Sequence, residues 1–215
     1  RSTDGGQTWQ KEETDWFSML EGVYCLTAVM GPDGTVAASC SGEMSEQVRD
    51  ACKEPVPEDW EGNYCVFVMP EGTIKIVDFG FCQEDGTCIQ AFVFHDDGRL
   101  FAADMQGKIY EIDVEKESFR ELFMAEHAVG YMDFTGETLM AVGSDRLYLY
   151  DLKKEMLLPQ DDTVDACIRR VLADGTVSWT SGGYPLAVTG SGEENVIYLA
   201  CREGMYRHVL GGSVM

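Results

Sequence analysis

A chain of 215 residues, 45% hydrophobic and 25% charged, can bury a core as one large or two small domains. Its 38 acidic residues against 16 basic ones give a net charge of −22, a field that repels phosphate backbones and anionic membrane surfaces. Nucleic acid is thereby excluded as a ligand class, and no run reaches the roughly 20 apolar residues of a membrane span.

The chain opens with Arg1, then Ser2-Thr3-Asp4-Gly5-Gly6-Gln7-Thr8-Trp9. Ser2, Asp4, Gly6, Thr8 and Trp9 meet the pattern Ser-x-Asp-x-Gly-x-Thr-Trp at every specified position. An Asp placed there accepts hydrogen bonds from the amides of its own turn, and Gly permits positive φ. Thr favours the pleated strand that follows, and Trp wedges its ring between sheets. The segment resembles the Asp box, the hairpin repeat of sialidases and many other β-propellers. All of these jobs are structural, so the five residues are expected to hold a turn rather than a ligand. On that reading Asp4→Ala costs about 1–2 kcal/mol in lost turn hydrogen bonds and leaves ligand affinity unchanged. An Asp box lies between the third and fourth strands of a blade, so the resemblance places Arg1 inside a blade whose earlier strands are absent.

A degenerate repeat of apolar run, turn, apolar run, turn and third strand follows. Its first copy runs from Val23–Val29 through Pro32-Asp33-Gly34 to Val36–Cys40, and resumes at Tyr64–Val68, Glu71-Gly72 and Ile74–Asp78. The interruption at 41–62 is expected to carry a helix, with Ser45 as its N-cap, Met44, Val48 and Cys52 on one face, and Pro55-Val56-Pro57 ending it. The clearest copy is Ala91–Phe94, Asp96-Asp97-Gly98, Leu100–Ala103, Gln106-Gly107, Ile109–Val114 and Phe119–Phe123. Next come Val129–Phe134, Leu139–Val142 and Leu147–Leu152. In the connection 159–183, Val164, Cys167, Ile168, Val171 and Leu172 recur at helical spacing and predict a helix over Asp161–Leu172; a strand ending at the Asp174-Gly175 turn competes with it. The last copy is Leu186–Val188, Val196–Cys201 and Tyr206–Leu210.

The first two strands of each unit are apolar on both faces, as a sheet stacked between two neighbours requires. The expected architecture is all-β: a β-propeller of about four to five visible blades of four-stranded antiparallel sheets, part of a larger ring, with two short helical insertions. The whole of 1–215 reads as one propeller domain or a fragment of one, and a two-layer sandwich is the second reading.

Candidate chemistry is sparse. Cys25, Cys65, Cys167 and Cys201 read as small buried residues. Cys82 and Cys88 flank a turn-like stretch and form either a disulfide or two free thiols. No zinc spacing and no D-x-D-x-D-G loop occurs, so no metal or cofactor is expected. His95, His127 and His208 stand apart from any nucleophile, and Asp96-Asp97, Asp161-Asp162 and Glu193-Glu194 sit where turns or helix starts favour carboxylates. A sialidase needs three arginines converging on an anionic sugar, whereas Arg99, Arg146 and Arg202 read as edge residues at separate hairpins. No catalytic residue is assigned. Trp16, Phe17, Trp60, Trp179 and Tyr184 lie in connections, where aromatics either stack on a ligand or pack between blades.

The Asp box, the Asp-Gly hairpins and segments such as Val196–Ala200 and Gly204–His208 resemble surface lipoproteins of anaerobic Gram-positive bacteria, in some of which a propeller precedes an extracellular solute-binding domain. The resemblance implies a non-catalytic extracytoplasmic module, secreted or anchored at the cell surface. Its partner would be a glycan, a peptide or an adjacent solute-binding domain, held at the central mouth. A glycoside hydrolase of sialidase-like type and a scaffold that only positions a neighbouring domain are the alternatives.

Overall fold

The computed structural model describes residues 7–8, 24–79, 87–143, 146–159, 169–171, 177–179, 187–190, 196–201 and 204–209, with side chains up to residue 159 and at Arg207. Within them the chain forms three four-stranded antiparallel sheets, one three-stranded sheet and a separate two-stranded hairpin. Sheet 1 comprises β1 (Tyr24–Met30), β2 (Val36–Glu43), β3 (Glu61–Val68) and β4 (Ile74–Val77). Sheet 2 comprises β5 (Ile89–Phe94), β6 (Leu100–Asp104), β7 (Lys108–Asp113) and β8 (Ser118–Met124). Sheet 3 comprises β9 (Val129–Thr135), β10 (Thr138–Gly143), β11 (Leu147–Asp151) and β12 (Met156–Leu157). β13 (Arg169–Val171) pairs with β14 (Val177–Trp179), and sheet 4 comprises β15 (Ala187–Gly190), β16 (Val196–Cys201) and β17 (Gly204–Val209).

Each four-stranded sheet is a simple meander, and its first strand touches the first strand of the next: β1 meets β5, β5 meets β9, and β9 meets β15. The sheets therefore stack face to face with their first strands innermost. Two apolar layers hold the described stack. Ala37, Cys65, Phe67 and Val77 of sheet 1 pack on Ile89, Phe92, Leu100, Ala102 and Tyr110 of sheet 2. The opposite face of sheet 2, with Val93, Phe101, Ala103 and Ile109, packs on Val129, Met132, Leu139 and Ala141 of sheet 3. Alanines at 37, 38, 102, 103 and 141 are fully buried in the second strands, where small side chains let adjacent sheets approach.

The outward face of sheet 1 has a different cover. Val36, Ala38, Cys40, Tyr64, Val66 and Val68 pack against Met44 and Val48, with Cys52, Val56 and Trp60 alongside. These cover residues belong to the segment between β2 and β3, whose one helix, α1, spans Glu46–Asp50. The Ser45 side chain accepts from the Val48 amide at 3.3 Å and caps α1. Ser45→Ala is expected to lower stability by about 1 kcal/mol, measured by urea unfolding; an unchanged midpoint would show that the cap contributes nothing.

Several expectations need correction. The described part of the helix expected over Asp161–Leu172 is a strand, since Arg169–Val171 pairs with Val177–Trp179 in antiparallel register. Backbone pairing across the Asp174-Gly175 stretch outweighs the helical spacing of the apolar residues, and Trp179 belongs to β14 rather than to a connection. Met156–Leu157, read as part of no element, completes sheet 3. Cys25 is exposed, not buried, because it lies on the outward face of β1; Cys65 is buried. Cys88 is a buried thiol, and Cys82 lies outside the described residues. Of the Asp-box residues only Thr8 is described, as an exposed bend; Ser2, Asp4, Gly6 and Trp9 lie outside the described residues, as do Trp16, Phe17 and Tyr184.

Candidate functional site

Three hairpin turns at one end of sheets 1 and 2 share a single construction. In Gly31–Thr35, Met69–Thr73 and His95–Arg99 the first amide donates to the fifth carbonyl at 2.8 Å, and the fourth amide returns to the first carbonyl. The fourth residue is Gly34, Gly72 or Gly98 with φ of +94°, +89° and +90°, a conformation that other residues resist. Carboxylates brace two of the turns. Asp33 accepts from the Thr35 amide and hydroxyl, each at 2.9 Å, and Asp97 accepts from the Arg99 amide at 3.0 Å.

These turns and the outer strands of sheet 2 enclose a cleft of about 670 Å³. Its apolar lining comes from Met69, Phe94, Leu100, Ile112, Val114 and Phe119. Phe119 remains 39% exposed while stacking on Phe79 with centroids 4.5 Å apart. The charged lining sets Asp33, Asp97, Glu111, Asp113 and Glu115 against Arg99 and Arg120, with Lys75 paired to Glu115 and Lys116 to Asp113. Both guanidiniums are already engaged. Arg120 reaches Glu111 at 2.6 Å and Glu155 at 2.8 Å, and Arg99 reaches Asp97 at 2.8 Å and Glu137 at 3.5 Å.

The carboxylates with perturbed acidity are held ionised. At Asp97 burial opposes ionisation, but the Arg99 amide, His95 and the Arg99 side chain together lower its pKa to about 2. Asp113 is lowered by the side chain and then the amide of Lys116, and Asp151 by those of Lys154. A glycosidase acid requires the opposite displacement, a carboxyl kept protonated near neutrality. Because the Asp97 pKa falls from an ordinary 3.8 to about 2 on folding, its stabilisation is complete above about pH 4 and disappears as pH drops through 2. Wild-type and Asp97→Asn melting temperatures are expected to differ at pH 7 and converge by pH 2. A constant difference across that range would show that the Asp97 ion pair contributes no pH-dependent stability.

The other sequence candidates are scattered. His95 is buried, sits 2.8 Å from Asp97 through Nδ1 and 3.3 Å from the Gly136 carbonyl through Nε2, and packs edge-on against Phe134. It ties the first turns of sheets 2 and 3 together. Arg146 pairs with Glu126 at 3.1 Å and lies over the Tyr148 ring, away from Arg99, and Arg202 lies outside the described residues. Trp60 packs on Tyr64 and over Gly62 in the cover of sheet 1, so it is no mouth residue. Phe119 and Arg120 carry no site signal in the sequence, where Phe119–Phe123 reads only as the fourth strand of its unit. The cleft lies at the turns of sheet 1 and the outer strands of sheet 2.

No family model matches the chain, and no curated protein does. Solved structures with the same arrangement exist. The extracellular domain assigned to the one-component system BT4673 of B. thetaiotaomicron superposes with a TM-score of 0.58 at 10% identity, over 95% of this chain and 23% of that one. YCF48 bound to a D1 peptide gives 0.52 at 14% identity over 87% and 51%, and the WD40 repeats of RRP9 give 0.50 at 11% over 89% and 52%. The chain is a β-propeller. Its stacked sheets are the blades, and it spans between about a quarter and a half of the length of these three propeller chains.

Proposed function

We propose that this propeller is a non-catalytic, extracytoplasmic binding module whose ligand is an extended peptide segment of a partner, with a cationic side chain flanked by apolar ones. The observation that carries the reading is the cleft itself: an apolar lining with an exposed Phe119 ring, surrounded by an excess of carboxylates. Apolar contact supplies most of the binding free energy in such a cleft, and the charged lining selects the sign of the ligand. Rigid hairpins braced by Asp33 and Asp97 keep that surface in shape before the ligand arrives, which limits the entropy lost on binding. Two propellers of this architecture are in keeping with the reading, the BT4673 domain as an extracellular one and YCF48 as one bound to a peptide.

The reading is tested by fluorescence titration of the full chain with a library of labelled extended peptides. Cationic peptides with apolar neighbours are expected to bind saturably. Phe119→Ala is expected to weaken binding roughly tenfold or more, a loss of about 1.4 kcal/mol or above. Glu115→Gln should weaken it less, and most at low salt. Affinity untouched by both substitutions would place the ligand surface elsewhere.

A further inference from the structure

β1 is less protected than the inner strands β5 and β9. Along β5 and β9 buried positions predominate or recur, whereas Tyr24, Cys25, Leu26, Ala28 and Met30 of β1 are all exposed. A bulge between Cys25 and Thr27 further loosens its pairing with β2. At this weak end two cysteines stand directly opposite each other, Cys25 on β1 and Cys40 on β2. Residues in such register have Cβ atoms about 4.5–5.5 Å apart on one face of the sheet, close to the roughly 3.5–4.5 Å of a disulfide. Both thiols are free. Among the described residues no other two cysteines are register partners: Cys65 opposes Ser39 and Val77.

We propose that Cys25 and Cys40 are a redox-active pair that closes into a cross-strand disulfide when a small-molecule disulfide of the glutathione class reaches Cys25. The order of events follows from access. Cys25 is exposed, while Cys40 is fully buried and its thiol is pushed up to about 12, by burial first and then by its Cys25 neighbour. The Cys25 thiolate attacks one sulfur of the oxidant, forming a mixed disulfide and releasing one thiol equivalent. The Cys40 sulfur then gives up its proton, bonds to the Cys25 sulfur and displaces the second. Two S–H bonds are lost and one S–S bond forms; the oxidant leaves as two thiols carrying the two electrons and two protons. The closed loop encloses the first hairpin, whose turn presents Asp33 and Thr35 to the cleft, so oxidation fastens the open end of the element whose other end lines the site.

The test uses the full chain in buffers of defined oxidised-to-reduced glutathione ratio, quenched with acid at intervals, alkylated and mapped by mass spectrometry. A Cys25–glutathione adduct is expected first, replaced by a peptide linking Cys25 to Cys40, with a melting temperature several degrees higher. Cys40→Ser should stop at the adduct. Cys25→Ser, at an exposed position that does not perturb the core, should leave Cys40 alkylatable and the melting temperature insensitive to oxidant. Wild-type Cys25 remaining as thiol or adduct at equilibrium, or linked to a different cysteine, would overturn the proposal.

Discussion

Phe101→Ala is expected to destabilise the protein by about 4 kcal/mol, seen as a fall in the denaturant midpoint with little change in slope. Phe101 on β6 is fully buried in the layer between sheets 2 and 3. Its ring meets Phe134 edge to face at 5.3 Å, and the Arg99 guanidinium lies 5.9 Å from its centroid. Truncation removes the largest fully buried side chain of that seam and leaves a cavity that two hydrogen-bonded sheets have little freedom to close. Because Arg99 and Phe134 touch the same ring, the loss also loosens the His95–Asp97 turn at the cleft. A loss below about 1.5 kcal/mol would mean that the two sheets do not pack as described.

Asp104→Ala is expected to cost about 3 kcal/mol for a different reason. Asp104 ends β6 and is 1% exposed, yet it is satisfied: Oδ1 accepts from the Gln106 and Lys108 amides at 2.8 and 2.9 Å, and Oδ2 from the Tyr110 hydroxyl at 2.8 Å. Removing the carboxylate leaves the buried Tyr110 hydroxyl and two part-buried turn amides without their acceptor, at about 1 kcal/mol for each orphaned group. The turn has no easy rearrangement, since Gly107 sits at φ +91° and a Cβ there would come within 2.6 Å of the His127 carbonyl oxygen. Asp104→Asn keeps an acceptor for the turn and should cost less. In a double-mutant cycle with Tyr110→Phe, coupling near zero would show that the buried hydroxyl bond contributes nothing.

Much of this architecture is legible in the sequence, for stated physical reasons. The second strands β6 and β10 are apolar on both faces because each is sandwiched between neighbours, and the Gly34, Gly72 and Gly98 turns announce themselves by the one residue that accepts positive φ. Short outer strands are harder to read. Met156–Leu157 has two residues, both exposed, and carries neither periodicity nor burial. At Arg169–Val171 helical spacing and strand pairing compete, and the partner Val177–Trp179 decides the outcome from outside the window. The exposure of Cys25 is likewise invisible locally, since its apolar neighbours belong to a strand whose outward face is open.

The cleft was the least legible feature. Its residues come from turns and strands separated by up to about ninety positions, between Asp33 and Arg120. Each looks ordinary where it stands: Asp33 and Asp97 as turn residues, Arg120 as one member of a fourth, outer strand. Only sheet stacking brings them together. Of the arginines read from the sequence as edge residues, Arg99 and Arg146 stand at separate hairpins, each paired with its own carboxylates.

Binding without catalysis is the central claim, and one paired assay on the same full-length sample tests it most directly. Aryl glycosides covering neutral and anionic sugars are supplied alongside the best peptide ligand, with turnover and peptide occupancy followed together. Saturable peptide binding with no glycoside turnover above the uncatalysed rate is the expected result. Hydrolysis of any glycoside that is abolished by neutralising one cleft carboxylate, such as Glu111→Gln, would contradict it.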